Sequence, residues 1–468
     1  MPEGLLAQTG IMKLSQEKLN LTEDPIGRSI FSLMWPMMAG MLAMMSYNIA
    51  DVYFIGQLGT MELAAVSFTF PVNFMVGAMA LGLGTGTSSV ASRLFGAGEN
   101  DEIQRITTHS LLLAIATGLL IVLVGLSTIE PVFRLLGADD TTLPMIKRYM
   151  RIYYLGGVFT VVPMIGSSVL RASGDAKTPA KIMMISAIFN IVLDPILIFG
   201  LFGMPRLELE GAAIATVLAN VGTATAAFSF IYFRDHLIRF RTAQFRLIID
   251  SWSRILHVGI PSMTSSMIAP LTTAFITWQI AQFGQEAVAG FGVASRLEGL
   301  SLLTAMALSA AITPFVGQNF GAGNYERVLN GMKFVYRFSL IYGFSVAIFL
   351  FIASSFIIGL FTDDPGANAA ANMHLHLVPW SYALLCISMT SVSGFNAIGK
   401  PIPAMLISMS RTIGVYLPLA FILAGLLDLL GVFMAAFSAN IIAGLLGYVW
   451  FRSFFGSFLT QERAVQKL

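Results

Sequence analysis

Twelve apolar runs, separated by short polar segments, occupy the chain from residue 28 to residue 455. They fall at 28–56, 62–95, 106–128, 146–171, 180–202, 211–233, 253–283, 287–320, 330–352, 372–398, 402–427 and 431–455. About 20 mainly apolar residues carry a helix across a bilayer, so each run predicts one transmembrane helix. Runs longer than that predict tilt, bending or extension past the hydrocarbon. The pattern is that of an all-α polytopic membrane protein.

The runs also repeat. At a fixed offset of 225 residues, Pro36 meets Pro261, and Gln57 and Gly59 meet Gln282 and Gly284. Phe95-Gly96-Ala97-Gly98 meets Phe320-Gly321-Ala322-Gly323, and Ala172 and Gly174 meet Ala397 and Gly399. The offset covers six helices, an even number. Both copies therefore run in the same sense, as two six-helix lobes related by a pseudo-two-fold axis along the membrane normal. The predicted layout is an arm at 1–25, a first lobe at 26–235, a linker at 236–252, a second lobe at 253–456 and a tail at 457–468.

Composition sharpens this picture. Of the 468 residues 56% are hydrophobic and only 11% are charged, with a mean hydropathy of +0.78. A soluble domain carries about 25% charged residues, so soluble and disordered chains are both excluded. With the N-terminus placed in the cytoplasm, 21 of the 27 Lys and Arg residues fall on the cytoplasmic side, Lys400 and Arg411 among them, against five opposite. That asymmetry predicts both termini inside. The net charge of +2 is scattered, with no basic run to follow a nucleic-acid backbone. A single cysteine, Cys386, excludes an intrachain disulfide. The chain has no Gly-x-x-x-x-Gly-Lys-Ser/Thr loop and no other soluble-enzyme motif, so a transporter rather than an enzyme is expected. Gly82-x-Gly84-x-Gly86 lies inside a span and predicts close helix packing.

Candidate chemistry lies where the two copies differ. Asp51 sits in the first span, and its counterpart is Ile276. Asn190 and Asp194 sit one turn apart in the fifth span, so they share a face; their counterparts are Ile413 and Leu417. The fold therefore does not require polar groups there. A mid-membrane carboxylate costs a few kcal/mol or more, on the order of 3 by insertion scales, so two in one lobe imply a task. That task is to hold a proton, or a sodium ion with neighbouring oxygens. Tyr47, one turn before Asp51, points a phenol the same way. Pro36 frees a backbone carbonyl and makes a candidate hinge. Arg296 and Glu298 form a second charged cluster within a span, as a substrate or second-lobe site, or as a structural ion pair.

Taken together, Pro36 and Asp51 in the first helix, Asn-x-x-x-Asp-Pro at 190–195, Arg-Ala-Ser-Gly-Asp-Ala-Lys-Thr-Pro at 171–179 and the paired Gly-Ala-Gly segments resemble the multidrug and toxic compound extrusion (MATE) family. The resemblance covers about residues 25–455 and is strongest to the family's prokaryotic DinF-like branch. It implies an efflux antiporter of the prokaryotic inner membrane, monomeric and without a cofactor. The implied exchange is of cationic or amphipathic drugs for protons or sodium ions. By the same resemblance Asp51, Asn190 and Asp194 form the cation site, with Tyr47, Tyr149 and Thr216 around it, and the first helix bends at Pro36. Glu298 would supply one member of the acidic pair that another branch carries in its second lobe. The alternative is a flippase for a lipid-linked saccharide. Such a protein would meet phosphates with cavity Arg or Lys residues, for which Arg296 is the one candidate.

Overall fold

The computed structural model describes residues 20–239 and 245–465, with side chains to residue 460. Every regular element among them is helical. The first lobe holds α1 (Ile26–Gly56), α2 (Thr60–Ala97), α3 (Asn100–Leu135), α4 (Leu143–Leu155), α5 (Gly157–Ala172), α6 (Lys177–Phe199) and α7 (Glu208–Ser229). The second holds α8 (Phe245–Ala281), α9 (Gln285–Gly321), α10 (Tyr325–Ile358), α11 (Pro365–Leu377), α12 (Tyr382–Ala397), α13 (Pro401–Met409) and α14 (Leu417–Val465).

Nine of the described helical stretches are long and apolar enough to cross a membrane, and the bent pair α4–α5 makes ten. The stretch Pro401–Thr460 counts once there but breaks at Leu427 and Asp428, whose backbone leaves the helical region. Its two halves are two spans, divided where the polar Asp428 interrupts the apolar run. Helix α8 has the length, 37 residues, and supplies the twelfth. Its serines, threonines and two internal prolines lower its apolarity.

Several boundaries differ from the sequence reading. The fourth predicted span is bent by 46° between α4 and α5, at Gly156. A side chain there would meet Val217 of α7, 2.5 Å away. Helix α8 begins at Phe245, so the second half of the expected linker at 236–252 is helical. Helix α14 runs on to Val465, through most of the expected tail at 457–468. Residues 1–19 of the expected arm lie outside the described residues. The part that follows is not loose, because the Leu21 carbonyl accepts from Asn319 and Arg327 of the second lobe.

The repeat is visible in detail. Helices α2 and α9 begin at Thr60 and Gln285, and α3 and α10 at Asn100 and Tyr325, each pair 225 residues apart. Gly98 and Gly323 turn left-handed with φ of 73° and 74°, and Gly174 and Gly399 with 91° and 76°. A β-carbon would strain all four, which explains why these glycines occur in both copies. The lobes meet through α2 on α8 and α1 on α9. Glycines allow the close approach: a β-carbon on Gly86 would lie 2.3 Å from the Ile255 carbonyl oxygen, and one on Gly82 would lie 2.2 Å from Met263.

One contact is reciprocal. A β-carbon on Gly96 would lie 1.9 Å from the Gln318 carbonyl oxygen, and one on Gly321 would lie 1.9 Å from that of Arg93. Positions 93 and 318 are themselves equivalent. Arg93 donates to the Ala397 carbonyl at 2.7 Å, and Gln318 donates to the Ala172 carbonyl at 2.7 Å. Each lobe thus caps the C-terminal end of a helix in the other, α12 or α5, where the last carbonyls lack intrahelical donors.

Helix α1 is shared between the lobes. Ile30, Leu33, Met34 and Met37 lie in an apolar cluster built mainly from α9, α10, α12 and α14. Its later part packs on α6, and Ile55 lies in the first lobe's core. Pro36 falls at the changeover.

Candidate functional site

Four helices converge inside the first lobe. Helix α1 brings Tyr47 and Asp51, one turn apart. Helix α6 brings Asn190 and Asp194, also one turn apart, and α1 packs on α6. Helix α4 brings Tyr149 and α7 brings Thr216; both α4 and α6 pack on α7. Asn190 is 1% exposed and Asp194 0%. Tyr149 and Thr216 are buried, and Tyr47 and Asp51 are half-buried. Tyr47 lies beside Thr216 and within electrostatic range of Asp51, Tyr153 and Asp194. Tyr149 is in range of the same two carboxylates and stacks on Tyr153, with ring centroids 6.4 Å apart. The structure therefore brings all six predicted residues into one cluster.

The cluster's hydrogen bonding is incomplete. Asp51 Oδ1, both oxygens of Asp194 and both polar atoms of Asn190 are buried with no hydrogen-bond partner. Neither carboxylate has an ion pair with a Lys, Arg or His among the described residues. Pro195 has no amide hydrogen, so the Ile191 carbonyl one turn earlier lacks its helical donor. Carboxylates, an amide oxygen, a free carbonyl and phenols are oxygen donors for a proton or a hard cation. Uncompensated buried charge of this kind demands such a partner. Among the described residues no group of three or more His, Cys, Asp or Glu side chains is placed to hold a metal ion. A sodium ion here would rely on Asn190 and backbone oxygen beside Asp51 and Asp194, and the orphaned oxygens fit it.

The second lobe holds a polar cluster of its own, at Glu298 as the sequence suggests but with other partners than Arg296. Ile276, the counterpart of Asp51, is buried in its core as expected. Glu298, however, accepts from or donates to His374 of α11, Nε2 to Oε2 3.0 Å, and lies beside Tyr382. Arg411 sits within a π-helical turn, Ser410–Tyr416, inside the eleventh span rather than at its cytoplasmic flank. It donates to Asn440 at 3.2 Å, and Asn440 donates to Ser381 at 2.9 Å. Glu298 is within electrostatic range of Arg411. From the sequence alone His374 and His376, two apart near a span start, face different sides and suggest no metal pair. The available signal was that Glu298 has no cation one turn away on its own helix, so its partner had to come from another. Arg296, two residues from Glu298, is exposed on a different face and does not join this cluster.

Two six-helix lobes in parallel repeat, with an oxygen-lined cluster buried in one of them, define a multi-pass membrane transporter. The chain belongs to the MATE family, whose members are transporters: the family model described as MatE matches it twice, at residues 36–196 and 261–422. The two matches begin at Pro36 and Pro261, the ends of the 225-residue offset. The chain is 33% identical to a FAD transporter of Shewanella oneidensis over 433 residues, covering 92% of this chain and 96% of that protein. It is 28% identical to the multidrug export protein MepA of Staphylococcus aureus, covering 90% and 93%. Among solved structures, the MATE transporter VcmN of Vibrio cholerae in the bent form superposes with a TM-score of 0.87 at 30% identity, covering 92% and 97%.

Proposed function

We propose that the protein is an efflux antiporter that exports cationic or amphipathic compounds in exchange for protons or sodium ions by alternating access. The observation that carries this reading is the set of orphaned oxygens at Asp51, Asn190 and Asp194; among the described residues no second-lobe carboxylate is buried without a partner. A proton or sodium ion entering that set neutralises it and draws Tyr47, Tyr149 and Thr216 into a new arrangement. Helix α1 then bends near Pro36. Its first half is held in the second lobe's core and its second half lies on α6, so a bend there moves the lobes' shared wall. Export is coupled because cation and cargo favour different states. In this reading the end at Gly98 and Gly323 faces the cytoplasm of a prokaryotic inner membrane, which the asymmetry of Lys and Arg residues supports.

The test is transport in proteoliposomes with proton and sodium gradients imposed separately. Asp51→Asn and Asp194→Asn are expected to abolish gradient-driven efflux while the protein stays folded. Normal efflux by both variants would sink the assignment.

The FAD transporter relative favours a second reading, in which the cargo is a flavin dinucleotide. Arg296 lies 25 residues before Gly321, about seven turns, and so on the α9 face that further down meets α2. There it would meet a pyrophosphate. Loss of flavin efflux but not of cationic-dye efflux in Arg296→Ala would separate the two readings.

A further inference from the structure

At the end of the molecule where α1 begins, a groove of about 400 Å³ opens between α1 and α10. Ile26, Asn330, Lys333, Phe334 and Arg337 line it. On α10 the spacing 330, 333, 337 places one amide and two cations on a single face. Arg28 adds a third exposed cation on the first turn of α1, next to Gly27, where a β-carbon would touch Phe334 at 3.2 Å. None of Arg28, Lys333 and Arg337 has an ion pair or a side-chain hydrogen bond among the described residues. Arg134 and Arg239 hold carboxylates, while Arg148 and Lys181 are also exposed without an ion pair among the described residues; what sets Arg28, Lys333 and Arg337 apart is that they gather at one groove.

The same face of α10 continues as Ile341, Phe344, Ile348 and Ile352, all exposed large apolar side chains. They succeed Arg337 at steps of four, three, four and four residues, an unbroken stripe facing hydrocarbon. The groove thus joins a cationic mouth to an apolar track, which suits a ligand with a phosphate head and acyl tails. A free anion would gain nothing from the track. Basic pockets at this depth between membrane helices bind anionic lipid heads.

We propose that this groove is a binding site for one anionic phospholipid, its phosphate held by Lys333 and Arg337 and its chains lying along α10. Phe31 of α1 packs edge-on against Phe334 and Phe338, with centroids 5.6 and 5.2 Å away. The lipid therefore braces the cytoplasmic half of α1, the half before Pro36, against the second lobe. The assignment of this end to the cytoplasmic leaflet rests on the orientation given above; the site itself does not depend on the coupling mechanism.

The experiment is native mass spectrometry of the full-length protein taken from membranes of equal parts phosphatidylglycerol and phosphatidylcholine. Wild type is expected to retain one phosphatidylglycerol preferentially. Lys333→Gln with Arg337→Gln should weaken that adduct about 30-fold, from roughly one step of attraction per charge. Lys333→Arg with Arg337→Lys should keep it. Arg452→Gln, a basic change on α14 outside the groove, should leave it alone. Equal retention of phosphatidylcholine by wild type, or an unchanged adduct in the Lys333/Arg337 double variant, would overturn the proposal. So would its displacement by millimolar inorganic phosphate, which would mark a plain anion site.

Discussion

Replacing Arg93 and Gln318 by Ala removes the reciprocal caps that join the lobes where α2 and α9 end. Gln318→Ala deletes one neutral hydrogen bond, to Ala172, with a net contribution of about 1 kcal/mol. Arg93→Ala deletes a bond from a charged donor to Ala397 and a second to Ser89 at 2.8 Å. Such bonds contribute about 1.5–3 kcal/mol, and the lower figure applies because Arg93 is only part-buried. Together the two changes shift the balance between joined and separated ends of α2 and α9 by about 2.5 kcal/mol, or roughly 70-fold. Spin labels at Glu99→Cys and Asn324→Cys, on the equivalent turns after α2 and α9, report the separation once buried Cys386 is replaced by Ser. The double variant should gain a population at longer distance, and Gln318→Ala alone a smaller gain of about fivefold. A distance distribution identical to that of the parent would refute the reasoning, since the caps would then hold nothing.

Other expectations follow from single side chains. Asp175 is pushed upward by burial, but this is outweighed by hydrogen bonds from the Thr178 hydroxyl and amide and by Arg234, so its carboxyl sits below the ordinary range. Its stabilising effect is present above the unfolded value of about 3.9 and is lost as pH falls through the lower folded value. Asp175→Asn should therefore cost about 1–2 kcal/mol in melting experiments near neutrality and much less near pH 3, because the parent is then losing the same interaction. Glu298→Gln unpairs His374 and leaves Arg411 less compensated; with Glu298 about a quarter exposed, the cost is about 1–2 kcal/mol of stability. Ion-driven transport by that variant should stay within about twofold; its abolition would show that coupling is not confined to the first lobe. Gly96→Ala places a methyl group into the Gln318 carbonyl and should push the two labelled turns apart in the same spin-label assay. An unaltered distance would mean that the helices slide apart without cost.

The fold was legible because span length and the 225-residue offset are properties of the apolar pattern itself. The close approach of Val217 to Gly156 at the bend was not, because Val217 arrives from another helix. The division of α1 between the lobes was equally hidden: an apolar face does not say which partner it will find. Asp51, Asn190 and Asp194 stood out because carboxylates and amides are costly inside an apolar run. Tyr149 and Thr216 came only from the family resemblance, since a tyrosine or threonine in a membrane helix is too ordinary to draw notice. Arg411 counts as a flank when the charge balance is read from the sequence, but ten residues of helix from Pro401 carry it about 15 Å along its span.

The reciprocal caps also bear on how the chain is made. The first lobe leaves the ribosome with the Ala172 carbonyl unmet, and its donor, Gln318, is 146 residues away. The α5 end stays unfinished until α9 has been synthesised and inserted. Each half therefore acts as the last folding step of the other, and a truncated chain ending in the linker should assemble its helices yet fray at that one end.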